Sequence, residues 1–126
     1  MNRGSAAKVS VVSVLLMAAL AAGTDTSKPI SVKGYVLDSA CAFTKNLKKP
    51  ISAECAVACA KAGSLLVILS DDGTIYWPIA ETTPSSGQNE RLPFAGKKVT
   101  ASGKVFQRGG SGALVIAKIG PLSDQK

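Results

Sequence analysis

Three cysteines, Cys41, Cys55 and Cys59, are the residues of this chain with the widest chemical repertoire, and the sequence contains no others. Because their number is odd, disulfides within the chain cannot use every thiol, and one must pair with another chain, stay buried or react. Cys55 and Cys59 are four residues apart in an alanine-rich segment, a spacing that places both on one face of a helix. The chemistry open to these side chains is disulfide formation, thiol reactivity or binding of a soft metal ion.

The sequence has no histidine, and this absence removes many catalytic arrangements. Ser-His-Asp and Cys-His catalysis and His-ligated metal sites are excluded. Three residues separate Cys55 from Cys59 and Ala60 follows, so neither the haem-attachment motif C-x-x-C-H nor a thioredoxin-like C-x-x-C is present. We therefore expect a protein without a catalytic role and without a cofactor.

The three cysteines leave several pairings open. Side chains four residues apart on a helix have Cβ atoms about 5–6 Å apart. A disulfide needs about 3.8 Å, so Cys55 and Cys59 are not expected to bond each other. We predict a Cys41–Cys59 disulfide with Cys55 as the free thiol one helical turn away. Such a bridge stabilises a small domain by about 3 kcal/mol in the chain-entropy model.

Two alternatives to this disulfide remain. Cys41, Cys55 and Cys59 could together form a three-thiolate site for a soft ion such as Cu(I), which prefers thiolate ligands. Cys55 could instead be a reactive or intermolecular thiol, since the first turn of a helix stabilises a thiolate.

The N-terminus has the order of a signal peptide. Arg3 and Lys8 precede the apolar run from Val9 to Leu20, and small residues follow up to Gly23. The run is shorter than the roughly 20 residues that span a bilayer, although an uncleaved anchor is the alternative. We expect a secreted or periplasmic protein with residues 1–23 removed and residues 24–126 forming a single domain.

The charge of the chain restricts its partners. Lys and Arg outnumber Asp and Glu by 15 to 8, which gives a formal net charge of +7. The basic residues are scattered, without the long run that marks a nucleic-acid arm, so we do not expect nucleic-acid binding. An acidic polymer, an oligosaccharide or a protein of the cell envelope is the partner class that this positive surface allows. We therefore expect a non-catalytic binding or envelope-associated structural module stabilised by one disulfide.

The apolar pattern predicts a mainly β fold, a small five-stranded OB-like barrel with one short helix between strands 1 and 2. Gly34 and Gly103 lie inside strands and suit the sharply coiled strands of a barrel. The helix is expected over residues 52–62, from Ser52 as N-cap to a stop at Gly63. The polar residues 80–93 predict a loop, with its most mobile part at 81–91. The five predicted strands are residues 30–37, 65–69, 74–79, 97–106 and 113–119.

Two stretches resemble known groups. The segment PFAGKKVTASGKVF, followed after a loop by ALVIAKI, resembles the last two strands of OB-type barrels. The segments DSAC (38–41) and CAVAC (55–59), followed by Gly63, resemble small secreted bacterial proteins of unassigned function. Those proteins share a D-S-x-C … C-x3-C … G pattern ahead of such a barrel. Many of them carry a histidine soon after the first cysteine, where this chain has Phe43 and Thr44.

An OB-like barrel implies a ligand face along its second and third strands and the flanking loops. In this chain that face would contain Tyr76, Trp77, Phe43, Lys45 and Arg108. Aromatic rings among cations suit recognition of oligosaccharides or nucleic acids through stacking and charge. Neighbouring residues of a strand point to opposite faces, so we expect one of the two strand aromatics to pack in the core.

We predict that residues 1–23 are absent from the mature protein. Intact-mass measurement of protein recovered from the periplasm or the medium should give a chain that begins near Thr24. Recovery of the exported chain with Met1 intact would contradict this prediction.

Overall fold

The computed structural model describes residue 25 and residues 28–45, 52–81 and 87–122 of the 126-residue chain. Within these ranges, no helix is both long and apolar enough to cross a membrane. The predicted signal peptide lies outside the described residues. The strands are β1 (Ile30–Asp38), β2 (Leu66–Ser70), β3 (Ile75–Pro78), β4 (Lys98–Arg108) and β5 (Ser111–Pro121), and the helices are α1 (Ser39–Thr44), α2 (Ala53–Lys61) and α3 (Gln88–Arg91).

The five strands close into a barrel in the order β1-β2-β3-β5-β4. β1 pairs antiparallel with both β2 and β4, and the remaining pairs are antiparallel except for β3 with β5. This structure confirms the predicted mainly β class and the small five-stranded OB-like barrel. Because every strand has two partners, no strand of the barrel is left as an open edge.

The connections contain more helix than the sequence predicts. The helix expected over 52–62 is observed as α2, but α1 lies ahead of it, where no helix was predicted. A further helical segment, α3 followed by a 3₁₀ turn at Leu92–Phe94, begins within the predicted loop 80–93 and ends one residue beyond it. Residues 82–86 of that loop lie outside the described residues, and its mobility stays a prediction. These segments are too short to show a helical period in the sequence, which is why the sequence does not predict them as helices.

The barrel interior holds the main core. α2 contributes Ala56 and Ala60 to it, so this helix packs on the barrel through its small residues. A second, smaller cluster joins the outer side of β2 to Ala42 of α1. Both faces of β2 are therefore buried, which explains why its residues are almost all apolar. The interior side chains of the strands are Val32, Val36, Leu66, Ile68, Val99, Ala101, Val105 and Leu114.

Two glycines let neighbouring strands approach closely. A Cβ atom at Gly34 of β1 would lie 2.1 Å from the carbonyl oxygen of Leu69, and one at Gly103 of β4 would lie 1.9 Å from that of Val115. Any side chain at Gly34 or Gly103 would overlap the backbone of the neighbouring strand. The interior glycines that the sequence analysis assigned to coiled barrel strands are thus required by backbone contact.

We predict that Gly34→Ala lowers the free energy of unfolding by about 1–3 kcal/mol, because the added methyl group must push β2 away. Chemical denaturation measures the loss. Gly120→Ala is the matched control, since a Cβ at this strand glycine meets nothing within 4 Å. It should change stability by less than about 0.5 kcal/mol. Equal effects of the two substitutions would contradict the close approach of β1 and β2.

Candidate metal centre

The two helices between β1 and β2 bring all three cysteines together. The Sγ atoms of Cys41, Cys55 and Cys59 all lie within 4.8 Å of one another. Cys41 is buried in the first half of α1, whereas α2 carries Cys55, which is exposed, and Cys59, which is half-buried. Although Cys55 lies one helical turn before Cys59, its Sγ lies within the same 4.8 Å limit of the Cys41 Sγ, so Cys55 does not stand apart from the other two thiols. Residues four apart share a helix face, and Cys41 lies against that shared face.

Helix caps fix the positions of two of these cysteines. Asp38 is the N-cap of α1, and its Oδ1 accepts a hydrogen bond from the backbone N–H of Cys41 at 3.0 Å. Ser52 is the N-cap of α2, and its Oγ accepts one from the backbone N–H of Cys55 at 3.1 Å. Each helix thus has its N-cap three residues before a cysteine, which sets where that thiol can point.

A buried carboxylate lies beside the thiols. Asp38 is fully buried at the end of β1, and its Oδ1 also accepts a hydrogen bond from Ser64 Oγ at 3.3 Å. Its Oδ2 has no hydrogen-bond partner. None of the ion pairs within the described ranges involves Asp38. A negative charge is therefore held next to the cysteines without a positive partner among the described side chains.

This carboxylate changes the acidity of the thiols. As hydrogen-bond acceptor, Asp38 raises the pKa of Cys41 to about 11, with burial and the carboxylate charge adding to the effect. Burial raises the pKa of Cys59, and the charge of Asp38 and the Cys55 thiol add to it. Both thiols are consequently protonated at neutral pH, which makes them weak nucleophiles. The electrostatics disfavour thiol catalysis at Cys41 and Cys59.

The distances between the sulfur atoms bear on metal binding. A metal ion bound to three thiolates at about 2.3 Å each holds its sulfur atoms about 4 Å apart, which lies within the observed limit of 4.8 Å. All three cysteines are free thiols in this structure. The Cys41–Cys59 disulfide, with Cys55 as the free thiol, stays a prediction.

The predicted ligand face is only partly assembled. Phe43 and Trp77 stack with their ring centroids 6.1 Å apart at an interplanar angle of 27°. Phe43 is 62% exposed and follows Cys41 on α1, and Lys45 is exposed at the end of the same helix. Tyr76 packs against the barrel interior while Trp77 packs against the outer cluster. One of the two strand aromatics therefore points inward, as predicted.

Arg108 of the predicted ligand face is engaged with an acidic residue. Its Nη1 and Nη2 donate hydrogen bonds to Oδ1 and Oδ2 of Asp25 at 2.6 and 3.0 Å. This bidentate contact lowers the pKa of Asp25. Trp77 and Arg108 line one cavity of about 430 Å³, but a ligand anion would have to compete with Asp25 for the guanidinium.

Sequence reasoning missed two residues that the structure makes prominent. In the sequence Asp38 stands out only as part of the D-S-x-C motif, although an Asp three residues before Cys41 is also an N-cap signal. Arg91 lies in the segment that the sequence predicts as a polar loop, yet it is 5% exposed and lines a cavity. No sequence signal marks a buried arginine in a short helix.

Comparison of the chain with protein-family models, with curated proteins and with solved structures finds no match in any of the three. What the chain does must therefore be inferred from its own residues.

We predict that Asp38→Asn lowers the pKa of Cys41, because asparagine keeps the cap but removes the negative charge. The pH dependence of thiolate ultraviolet absorbance measures it, in a Cys55→Ser/Cys59→Ser background compared with and without the Asp38→Asn substitution. In the unfolded parent chain Cys41 has its ordinary pKa of 9.0, whereas in the folded chain its pKa is about 11. The unfolded state therefore loses this proton at lower pH, and the free energy of unfolding should fall as the pH rises from 9.0 to about 11. An absorbance midpoint that Asp38→Asn leaves unchanged would contradict the assigned cause.

Proposed function

We propose that this protein is an exported, non-catalytic binding module that holds one soft metal ion of the Cu(I) type. The ligands are the thiolates of Cys41, Cys55 and Cys59. The observation that carries this proposal is the convergence of three Sγ atoms, from two separately capped helices, to within 4.8 Å of one another.

The ligand set favours a soft ion. Thiolates select Cu(I), zinc and iron–sulfur clusters, and the chain has no histidine to add a nitrogen ligand. Structural zinc takes four protein ligands. Among the described residues the metal-ligating group comprises three cysteines and no fourth member. Three sulfur ligands alone suit Cu(I) better than zinc.

The negative charge beside the thiols favours binding of a cation. Asp38 is buried beside Cys41, and none of the described ion pairs neutralises it. A buried charge without a partner is costly, and a bound cation would offset that cost for Asp38 and the thiolates together. Asp38 is not counted among the ligands; its role is to supply negative charge next to them.

Metal binding and the predicted disulfide compete for the same sulfur atoms. A Cys41–Cys59 bridge would remove two of three ligands and leave a module stabilised by a disulfide, with Cys55 free. The two states make opposite predictions for Cys55: it is a ligand in the first and dispensable in the second. Substitution of Cys55 therefore separates them.

We predict that the reduced protein binds one Cu(I) per chain. A chromogenic Cu(I) chelator serves as competitor under anaerobic conditions. Each of Cys41→Ser, Cys55→Ser and Cys59→Ser should weaken the apparent affinity by more than about 100-fold, since loss of outer-shell partners alone costs about 10- to 100-fold. Ala58→Ser is the matched control, because it adds a hydroxyl at an exposed position of the same helix. Its affinity should equal that of the parent chain.

A different pattern would overturn the metal proposal. If Cys55→Ser binds Cu(I) like the parent chain, the third thiolate is not a ligand. If peptide mapping of the exported protein then finds Cys41 linked to Cys59, the cluster is a structural disulfide with a spare thiol. Tighter binding of Zn²⁺ than of Cu(I) would contradict the proposed metal class.

A further inference from the structure

A second cavity shares no residue with the cysteine cluster. It has a volume of about 540 Å³ and lies between α3 and parts of β3 and β5. Its wall is largely apolar, with Ile79, Ile116 and Ile119 among the lining residues, and Ile79 is 42% exposed. The charged residues that line it are Glu81, Glu90, Arg91 and Lys118. A volume of this size accommodates a small organic ligand.

Arg91 is the unusual residue of this cavity. It is 5% exposed, and its Nε has no hydrogen-bond partner. None of the ion pairs within the described ranges involves its guanidinium. Burial accordingly lowers the pKa of Arg91, although the nearby charge of Glu90 opposes this effect. Because an uncompensated buried charge is costly, a bound anion would stabilise the guanidinium of Arg91.

The burial of Arg91 is imposed by how α3 is attached. Gln88, at the start of α3, accepts a hydrogen bond from the backbone N–H of Leu66 at 3.0 Å through Oε1. Its Nε2 donates to the backbone oxygen of Ser64 at 2.7 Å. These two bonds dock α3 against the start of β2. One turn later in α3, the side chain of Arg91 lies against Gly87. A Cβ atom added at Gly87 would be only 2.9 Å from Nη1 of Arg91.

We propose that this cavity binds an amphipathic monocarboxylate. The carboxylate accepts hydrogen bonds from Arg91, whose planar guanidinium matches a carboxylate geometrically. The hydrocarbon part of the ligand lies along Ile79, Ile116 and Ile119, where it removes apolar surface from water. This inference does not depend on the proposed metal site.

The surrounding charges favour a singly charged ligand. Glu81 contacts Lys104 at 3.4 Å and so has a cationic partner. Glu90 also lines the cavity, and a doubly charged phosphate group would be repelled by both carboxylates more strongly than a carboxylate is. Lys118, which is exposed, adds a second positive charge at the cavity.

The test uses octanoate as the probe with the full mature chain. Octanoate should raise the melting temperature and shift the methyl resonances of Ile79, Ile116 and Ile119. Octan-1-ol, which lacks the charge, and acetate, which lacks the chain, should do neither. If octan-1-ol acts as strongly as octanoate, or if those methyl resonances do not respond to octanoate, the inference is wrong.

Variants identify the residue that recognises the charge. Arg91→Met should weaken octanoate binding by at least about tenfold, since the charge-assisted hydrogen bonds are lost. Without ligand it should be as stable as the parent chain, because an apolar side chain replaces an unpaired buried charge. Lys118→Met is the matched control at the same cavity and should retain most of the affinity.

Two results with the variants would overturn the inference. One is unchanged octanoate binding in Arg91→Met, and the other is a larger loss in Lys118→Met than in Arg91→Met. If Arg91→Met does not fold, Arg91→Lys takes its place, because it keeps the charge but loses the planar fork. Octanoate binding to Arg91→Lys as tight as to the parent chain would then refute the role of the guanidinium.

Discussion

The buried carboxylate of Asp38 connects the barrel to the cysteine cluster. Asp38 ends β1, where it pairs with Leu66 of β2, and it caps α1 through the backbone N–H of Cys41. It also accepts a hydrogen bond from Ser64, just before β2. One side chain therefore joins the end of β1, the start of α1 and the entry to β2. The position of Cys41 opposite α2 depends on this set of contacts.

The barrel was predictable because its pattern is local. Alternation of apolar residues in β1 and β4 indicates which face of each strand points inward, and the alternating residues Val32, Val36, Val99 and Val105 are buried. The interior glycines and the cap at Ser52 are also signals that a short stretch of sequence carries. In each case the residues that determine the structure are neighbours in the chain.

The site was predictable only in part, because it depends on contacts between distant segments. The sequence placed Cys55 and Cys59 on one helix face, but α1 was not predicted, and so the approach of Cys41 to both thiols was not either. Arg91 is buried because Gln88 docks α3 on residues more than 20 positions earlier. A contact of that kind leaves no periodic signal in the sequence.

The cysteine cluster is the central functional claim, and copper X-ray absorption of the Cu(I)-loaded protein tests it most directly. The proposed site predicts three sulfur scatterers at about 2.3 Å and no nitrogen or oxygen in the first coordination shell. Two sulfur scatterers, or any coordination that includes nitrogen or oxygen ligands, would contradict the assignment of all three thiolates to one ion.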